Sequence, residues 1–155
     1  MNPRSSLPDS GHGWGSFSET VLHFRSTPAV TIDLRSAIDG RALSDLRRIG
    51  FEQSFGIITA QDPMGVRQLP AVNDALAASL QQESAGLGVA RVCVDACSPD
   101  ESHCERSIAI ALDEQALIDI AYRYEQLAIF WFDGEAFWIT PVYSRNHRLR
   151  LPVIM

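Results

Sequence analysis

The run at residues 55–60 (FGIITA) constrains this chain more than any other feature. It is continuous, uncharged and apolar, with no helical spacing, so it reads as a strand in the centre of a sheet, buried on both faces. The elements around it must then supply neighbours and cover. From 71 to 84 the positions Val72, Ala75, Leu76, Ser79 and Leu80 follow helical spacing, and Gly86 and Gly88 end the element. Residues 89–96 alternate, with Ala90, Val92, Val94 and Ala96 on one face and Arg91, Cys93 and Asp95 on the other, the pattern of a half-exposed strand. A polar stretch, 97–104, leads to a second apolar strand at 107–112. Asp113 suits the N-cap of a helix over 114–126, whose stripe is Ala116, Leu117, Ile120, Ala121 and Tyr124. Residues 127–132 (LAIFWF) are a strand, Asp133-Gly134 a type I′ hairpin turn, and 135–142 the returning strand.

The order over 55–132 is thus β-α-β-β-α-β, which predicts an α+β fold with a ferredoxin-like core. Its helices would cover one face, with extra antiparallel strands on both sides of this segment. On the N-terminal side these are 20–25 and 29–34, joined by a Ser-Thr-Pro turn and followed by a short helix at 42–49. Residues 148–151 (RLRL) alternate like an edge strand. Residues 1–16 carry no periodic apolar pattern and read as a flexible arm, leaving one domain over 17–155.

Composition narrows the function classes. The chain has 155 residues and a net charge of -6, and all 13 basic residues are arginine. An acidic chain lacks the basic excess that phosphate backbones demand, so nucleic acid is an unexpected partner. No apolar run approaches the roughly 20 residues of a membrane helix, so no membrane is expected either. The first 16 residues hold no apolar signal region, which makes a cytoplasmic location the default expectation. Without lysine, Schiff-base and P-loop chemistry is excluded. Eight acids lie between Asp95 and Glu125 against two arginines, whereas Arg145, His147, Arg148 and Arg150 follow the last acid, Glu135.

A sheet of this topology brings several loop ends to one edge. Reading them off gives Thr59, Gln61, Asp62, Asn73, Glu105, Arg106, Ser107 and Gln126 as one polar cluster. The N–H groups at the start of the first helix would favour an anion there. Asp62 and Glu105 could serve acid–base chemistry, and Thr59, Gln61, Asn73, Arg106, Ser107 and Gln126 could bind a ligand. Each also has a plain structural use: Asp62 before Pro63 as a turn former, Asn73 at a helix start, Glu105 with Arg106 as a surface pair, Gln126 closing a helix. Cys93, Cys97, His103 and Cys104 are soft-metal ligand types, but their spacing is not that of paired zinc knuckles, so free thiols and no metal are expected, with a Cys97–Cys104 link as a lesser alternative beside zinc at Cys97, His103 and Cys104. No cofactor is implied.

The stretches 55–63 (FGIITAQDP), Asn73 with Leu76 and Leu80, Glu105-Arg106-Ser107, and 124–129 (YEQLAI) resemble family 3293 of bacterial domains of unknown function. The resemblance spans about residues 30–140. It departs from the family pattern at Gln61 and Asp62, where Trp-Asn stands, and at Leu127, where Asn stands. Such a family implies a fold and a set of positions but no activity. The reading that follows is a binding or protein-interaction module with a polar site at one sheet edge, for a protein or a small anionic ligand. The alternative is a small enzyme acting on an anionic molecule through Asp62 and Glu105.

Overall fold

The computed structural model describes residues 15–144 and 148–153. Most of the arm read at 1–16, together with Arg145 and His147, lies outside them. The described chain opens with a short helix, α1 (Gly15–Ser18), followed by β1 (Val21–Phe24), β2 (Val30–Asp33) and α2 (Gly40–Arg48). Next come β3 (Phe55–Thr59), α3 (Pro70–Ala85), β4 (Arg91–Cys97), β5 (Cys104–Ile110) and α4 (Glu114–Arg123). The chain finishes with β6 (Ala128–Phe132), β7 (Phe137–Pro141) and β8 (Leu149–Arg150). Asp39 and Asp113 cap α2 and α4, each accepting a backbone N–H at 2.8 Å.

All eight strands form one antiparallel sheet in the order β2-β1-β4-β5-β3-β6-β7-β8. Helices and antiparallel strands are both present, as an α+β reading implies. The ferredoxin-like two-layer core is overturned, because this sheet is a half-barrel with cover on both sides. The convex face packs on α3 and α4 through Ile58, Leu80, Ile108, Ile110, Leu117 and Trp131. The concave face holds a second, larger core to which Leu46 of α2 and Phe51 contribute.

Phe55 shows how strongly the sheet curls. Three strand spacings of about 4.8 Å would place β1 about 14 Å from β3 on a flat sheet. The rings of Phe24 and Phe55 are nevertheless 6.3 Å apart, and Phe137, two strands away on the other side, stands 5.9 Å from Phe55. Phe51 stacks on Phe55 at 4.3 Å and Phe132 lies at 5.3 Å. The apolar residues of β1 and β2 need burial, and adding these strands to the outer edge of β4 turns them inward onto Phe55. Local periodicity carries no information about that long-range closure.

Smaller differences have local causes. The stripe read on the first helix is rotated: Asn73, Leu80 and Ser84 are buried while Val72 is exposed, because a polar side chain, Asn73, takes an inward position. The β6–β7 turn is four residues rather than two. The Asp133 carboxylate accepts the N–H groups of Glu135 and Ala136 and the indole N–H of Trp138, all at 2.8 Å, and so holds the wider turn. Cys97 and Cys104 face each other across β4 and β5 and are joined by a disulfide, so the free-thiol reading holds for Cys93 alone. No helix among the described residues is long and apolar enough to cross a membrane.

α4 packs tightly over Gly56, where a built Cβ would lie 2.4 Å from Leu117 Cδ1 and 3.2 Å from the Phe130 carbonyl oxygen. Leu117 is fully buried, so its side chain can give way only by disturbing the packing around it. Gly56→Ala should therefore cost about 1–3 kcal/mol by overpacking. Phe55→Ala should cost about 3–5 kcal/mol by leaving a cavity among the rings. Both values are read as shifts in denaturant midpoint at constant slope.

Candidate functional site

The polar positions cluster because three strands run out at one end of the concave face. Side chains on a strand alternate between faces. On β3, Ile57 and Thr59 share the concave side, on β5 Glu105, Ser107 and Ala109 do, and on β6 Ala128 and Phe130 do. Where these strands end, the apolar rings give way to Thr59, Gln61, Asp62, Glu105, Ser107 and Gln126, which line a small cleft of about 60 Å3.

Their hydrogen bonds hold the loop after β3 in place. Thr59 Oγ1 donates to the Arg106 carbonyl at 2.7 Å and accepts the Gln61 N–H at 3.1 Å. Gln61 Oε1 accepts the Arg106 backbone N–H, so β5 and this loop stay joined past the ladder. Gln126 is buried, and its amide donates to the carbonyls of Gln61 at 3.0 Å and Tyr124 at 3.2 Å. Asn73, buried at the start of α3, accepts the Asp62 N–H at 3.0 Å and donates to Asp62 Oδ1 at 2.9 Å. This two-way clasp holds Asp62 in a left-handed backbone conformation, φ 48°, from which the chain turns through Pro63–Gly65.

The two carboxylates titrate in opposite directions. Burial alone pushes Asp62 up, but the hydrogen bonds from Asn73 and the Gln68 N–H, with the charges of His103 and Arg67, hold it below the ordinary range. Burial also raises Glu105, and there it prevails: the His103 imidazole, 3.6 Å away, only partly offsets it, while the Asp62 charge raises it further.

Two expectations about this edge are corrected. Arg106 does not face the cleft. It follows Glu105 on β5, so its side chain lies on the convex side, where it donates to Asp74 Oδ1 of α3 at 2.7 Å. The start of α3 also offers an anion less than expected: Pro70 has no N–H, and the N–H groups of Val72 and Asn73 turn back to the Leu69 carbonyl at 3.0 and 3.1 Å. Asn73 supports the cleft from behind rather than lining it. As for metal, the sulfurs of Cys97 and Cys104 are spent on each other, and no group of three or more His, Cys, Asp or Glu able to hold an ion exists among the described residues.

Sequence reasoning missed Phe17, Gly65 and Leu127, which complete the cleft wall. Phe17 lies in a polar stretch without apolar periodicity, and its ring lies 5.9 Å from Phe130. Leu127 carried a signal, since it is one of the positions that departs from the family pattern. A Cβ on Gly65, at φ 73°, would lie 3.3 Å from its Cδ1. The segregated charge of the C-terminal stretch is partly answered within the fold, where Arg148 donates to Glu114 at 2.9 Å and stacks over Trp138 at 5.0 Å.

Stability should report the opposed titrations. A raised folded-state pKa at Glu105 favours the protonated form, so its contribution is present below the unfolded value near 4.3 and is lost as pH rises through the folded value. Glu105→Gln should remove that loss. Asp62 behaves oppositely, contributing above about 3.9 and losing its contribution as pH falls. Asp62→Asn, which surrenders charge-assisted hydrogen bonds, should cost about 1–3 kcal/mol at pH 7. Denaturant titrations between pH 3 and 8 measure both.

No curated protein and no solved structure matches the chain. The model of a family described as a protein of unknown function, DUF3293, matches residues 58–129. That segment runs from β3 to β6 and carries Thr59, Gln61, Asp62, Asn73, Glu105, Ser107 and Gln126, so the similarity to DUF3293 lies in the part of the chain that builds the cleft.

Proposed function

We propose that this chain is a binding module that uses the concave-end cleft to hold a cationic or hydrogen-bond-donating group of a protein partner. The supporting observation is the chemistry of the wall: two carboxylates, Asp62 and Glu105, with the acceptor oxygens of Gln61, Ser107 and Thr59, and no arginine facing in. A space of about 60 Å3 suits one small polar group rather than a whole metabolite, whose sites are typically about 300–1,000 Å3. An amine at the end of a side chain or peptide fits that space and that charge. Val66, next to the cleft-lining Gly65, and Leu69 are large apolar residues left exposed, which suits a protein as the carrier of the amine.

The alternative, a small enzyme, draws on one observation. A carboxyl held above its ordinary range facing the same cleft as one held below it is the arrangement in which one group acts as acid and the other as base. Glu105 would then give a proton and Asp62 take one.

An amide-resolved NMR titration with Nα-acetyl-lysinamide separates the possibilities. Binding moves the signals of Gln61, Ser107 and Gln126 saturably, and Glu105→Gln weakens it about ten-fold, as loss of a charge-assisted bond does. Shifts confined to other surfaces, or equal binding of Nα-acetyl-glutamate, would contradict the binding reading. An acid-limb change in a pH–rate profile on Glu105→Gln, once a reaction is found, would favour the enzyme.

A further inference from the structure

Arg106 is the residue that the cleft leaves unexplained, and its surroundings on the convex face are organised. There β4 and β5 place Cys93 opposite Ile108 and Asp95 opposite Arg106, while β1 brings up Arg25, whose backbone N–H bonds the Cys93 carbonyl at 2.8 Å. Facing them, α3 presents Asp74, Ala77, Ala78 and Gln81, spaced i, i+3, i+4, i+7 on one side of the helix. The two alanines keep the helix from filling the gap, leaving a groove of about 430 Å3 with more apolar than polar lining. That volume falls within the range of small-molecule sites.

The arginines differ in how firmly they are engaged. Arg25 directs Nε and Nη2 onto one oxygen of Asp95, a carboxylate only 20% exposed. Arg106 makes one side-chain bond, through Nη2, to Asp74, which is 66% exposed. An ion pair that open is worth about 0.2–1 kcal/mol and is readily exchanged. The guanidinium fork matches a carboxylate bidentately, so an incoming carboxylate can make two bonds where Asp74 makes one.

We propose that this groove is a second ligand site, separate from the cleft and on the opposite face of the sheet, for a small amphipathic monocarboxylate. Arg106 binds the carboxylate, which displaces Asp74. The short apolar chain of the ligand lies along Ala77, Ala78 and Ile108 toward Cys93. Charge selects this class: the groove balances two arginines with two acids, so one negative charge replaces Asp74 without leaving an arginine unpaired. A phosphate dianion would bring a charge in excess, and an alkylamine would meet no unpaired acid.

Cys93 supplies the readout, being exposed and the one free thiol while Cys97 and Cys104 are bonded to each other. The test is the rate of Cys93 alkylation by N-ethylmaleimide in non-reduced protein, with hexanoate, hexylamine or inorganic phosphate as the probe. Hexanoate should protect saturably and the other two should not. Arg106→Gln should abolish protection, and Asp74→Asn, which removes the competing carboxylate, should tighten hexanoate binding about two- to five-fold, the equivalent of the exposed pair it breaks. Both substitutions are at exposed positions, and unchanged circular dichroism confirms the fold. Absence of protection by hexanoate, equal protection in Arg106→Gln, or equal protection by hexylamine or phosphate would overturn the assignment. The outcome is independent of amine binding in the cleft.

Discussion

Everything in this molecule depends on the closure of the sheet around Phe55. Four aromatic rings from β1, β6, β7 and the segment after α2 lie 4.3–6.3 Å from that of Phe55, and two of them, Phe24 and Phe137, stand three and two strands away, where a flat sheet would hold them apart. Burial of those rings supplies a large apolar contribution on the concave side. It also dictates where polar groups can go. With the interior filled, they collect at the end of the trough, where β3, β5 and β6 run out into residues 59–62, 105–107 and 126. The cleft is a consequence of the curl.

The same curl gives the sheet two chemically distinct faces, and position along β5 decides which residue serves which. Glu105 and Ser107 turn inward, and Arg106 between them turns out. The neighbours Glu105 and Arg106, which a sequence reads as one pair, are separated by the sheet and enter different electrostatic environments. On the inner side burial and the Asp62 charge work against ionisation of Glu105, while hydrogen bonds secure the charge of Asp62. On the outer side Arg106 is solvated and lightly held by Asp74.

Much of this was legible in the sequence. Element types from 55 to 132 follow from periodicity and caps, and Asp113 caps its helix as local chemistry dictates. The convergence of Thr59, Gln61, Asp62, Glu105, Ser107 and Gln126 was readable from strand ends alone. What was not readable is long-range. The half-barrel arises because β1 and β2 join the edge of β4, some 70 residues away in sequence, and no window of periodicity records that pairing. The ferredoxin-like expectation failed on it. Arg106 was misplaced for a simpler reason: grouping residues by strand end ignores the alternation that sends neighbours to opposite faces. The Cys97–Cys104 disulfide stood only as a lesser alternative to free thiols, because a seven-residue separation between cysteines says little until the hairpin register places them opposite each other.

The central claim is that one small cleft holds two carboxyls in opposite states of proton affinity. Following the side-chain carboxyl carbons of Asp62 and Glu105 by NMR as pH is varied tests it directly, with each signal assigned by its Asn or Gln variant. The account predicts Asp62 titrating below the ordinary carboxylate range and Glu105 above it, with Glu105 moving back down when Asp62 is replaced by Asn. Two ordinary titrations, or a Glu105 curve indifferent to Asp62→Asn, would contradict it.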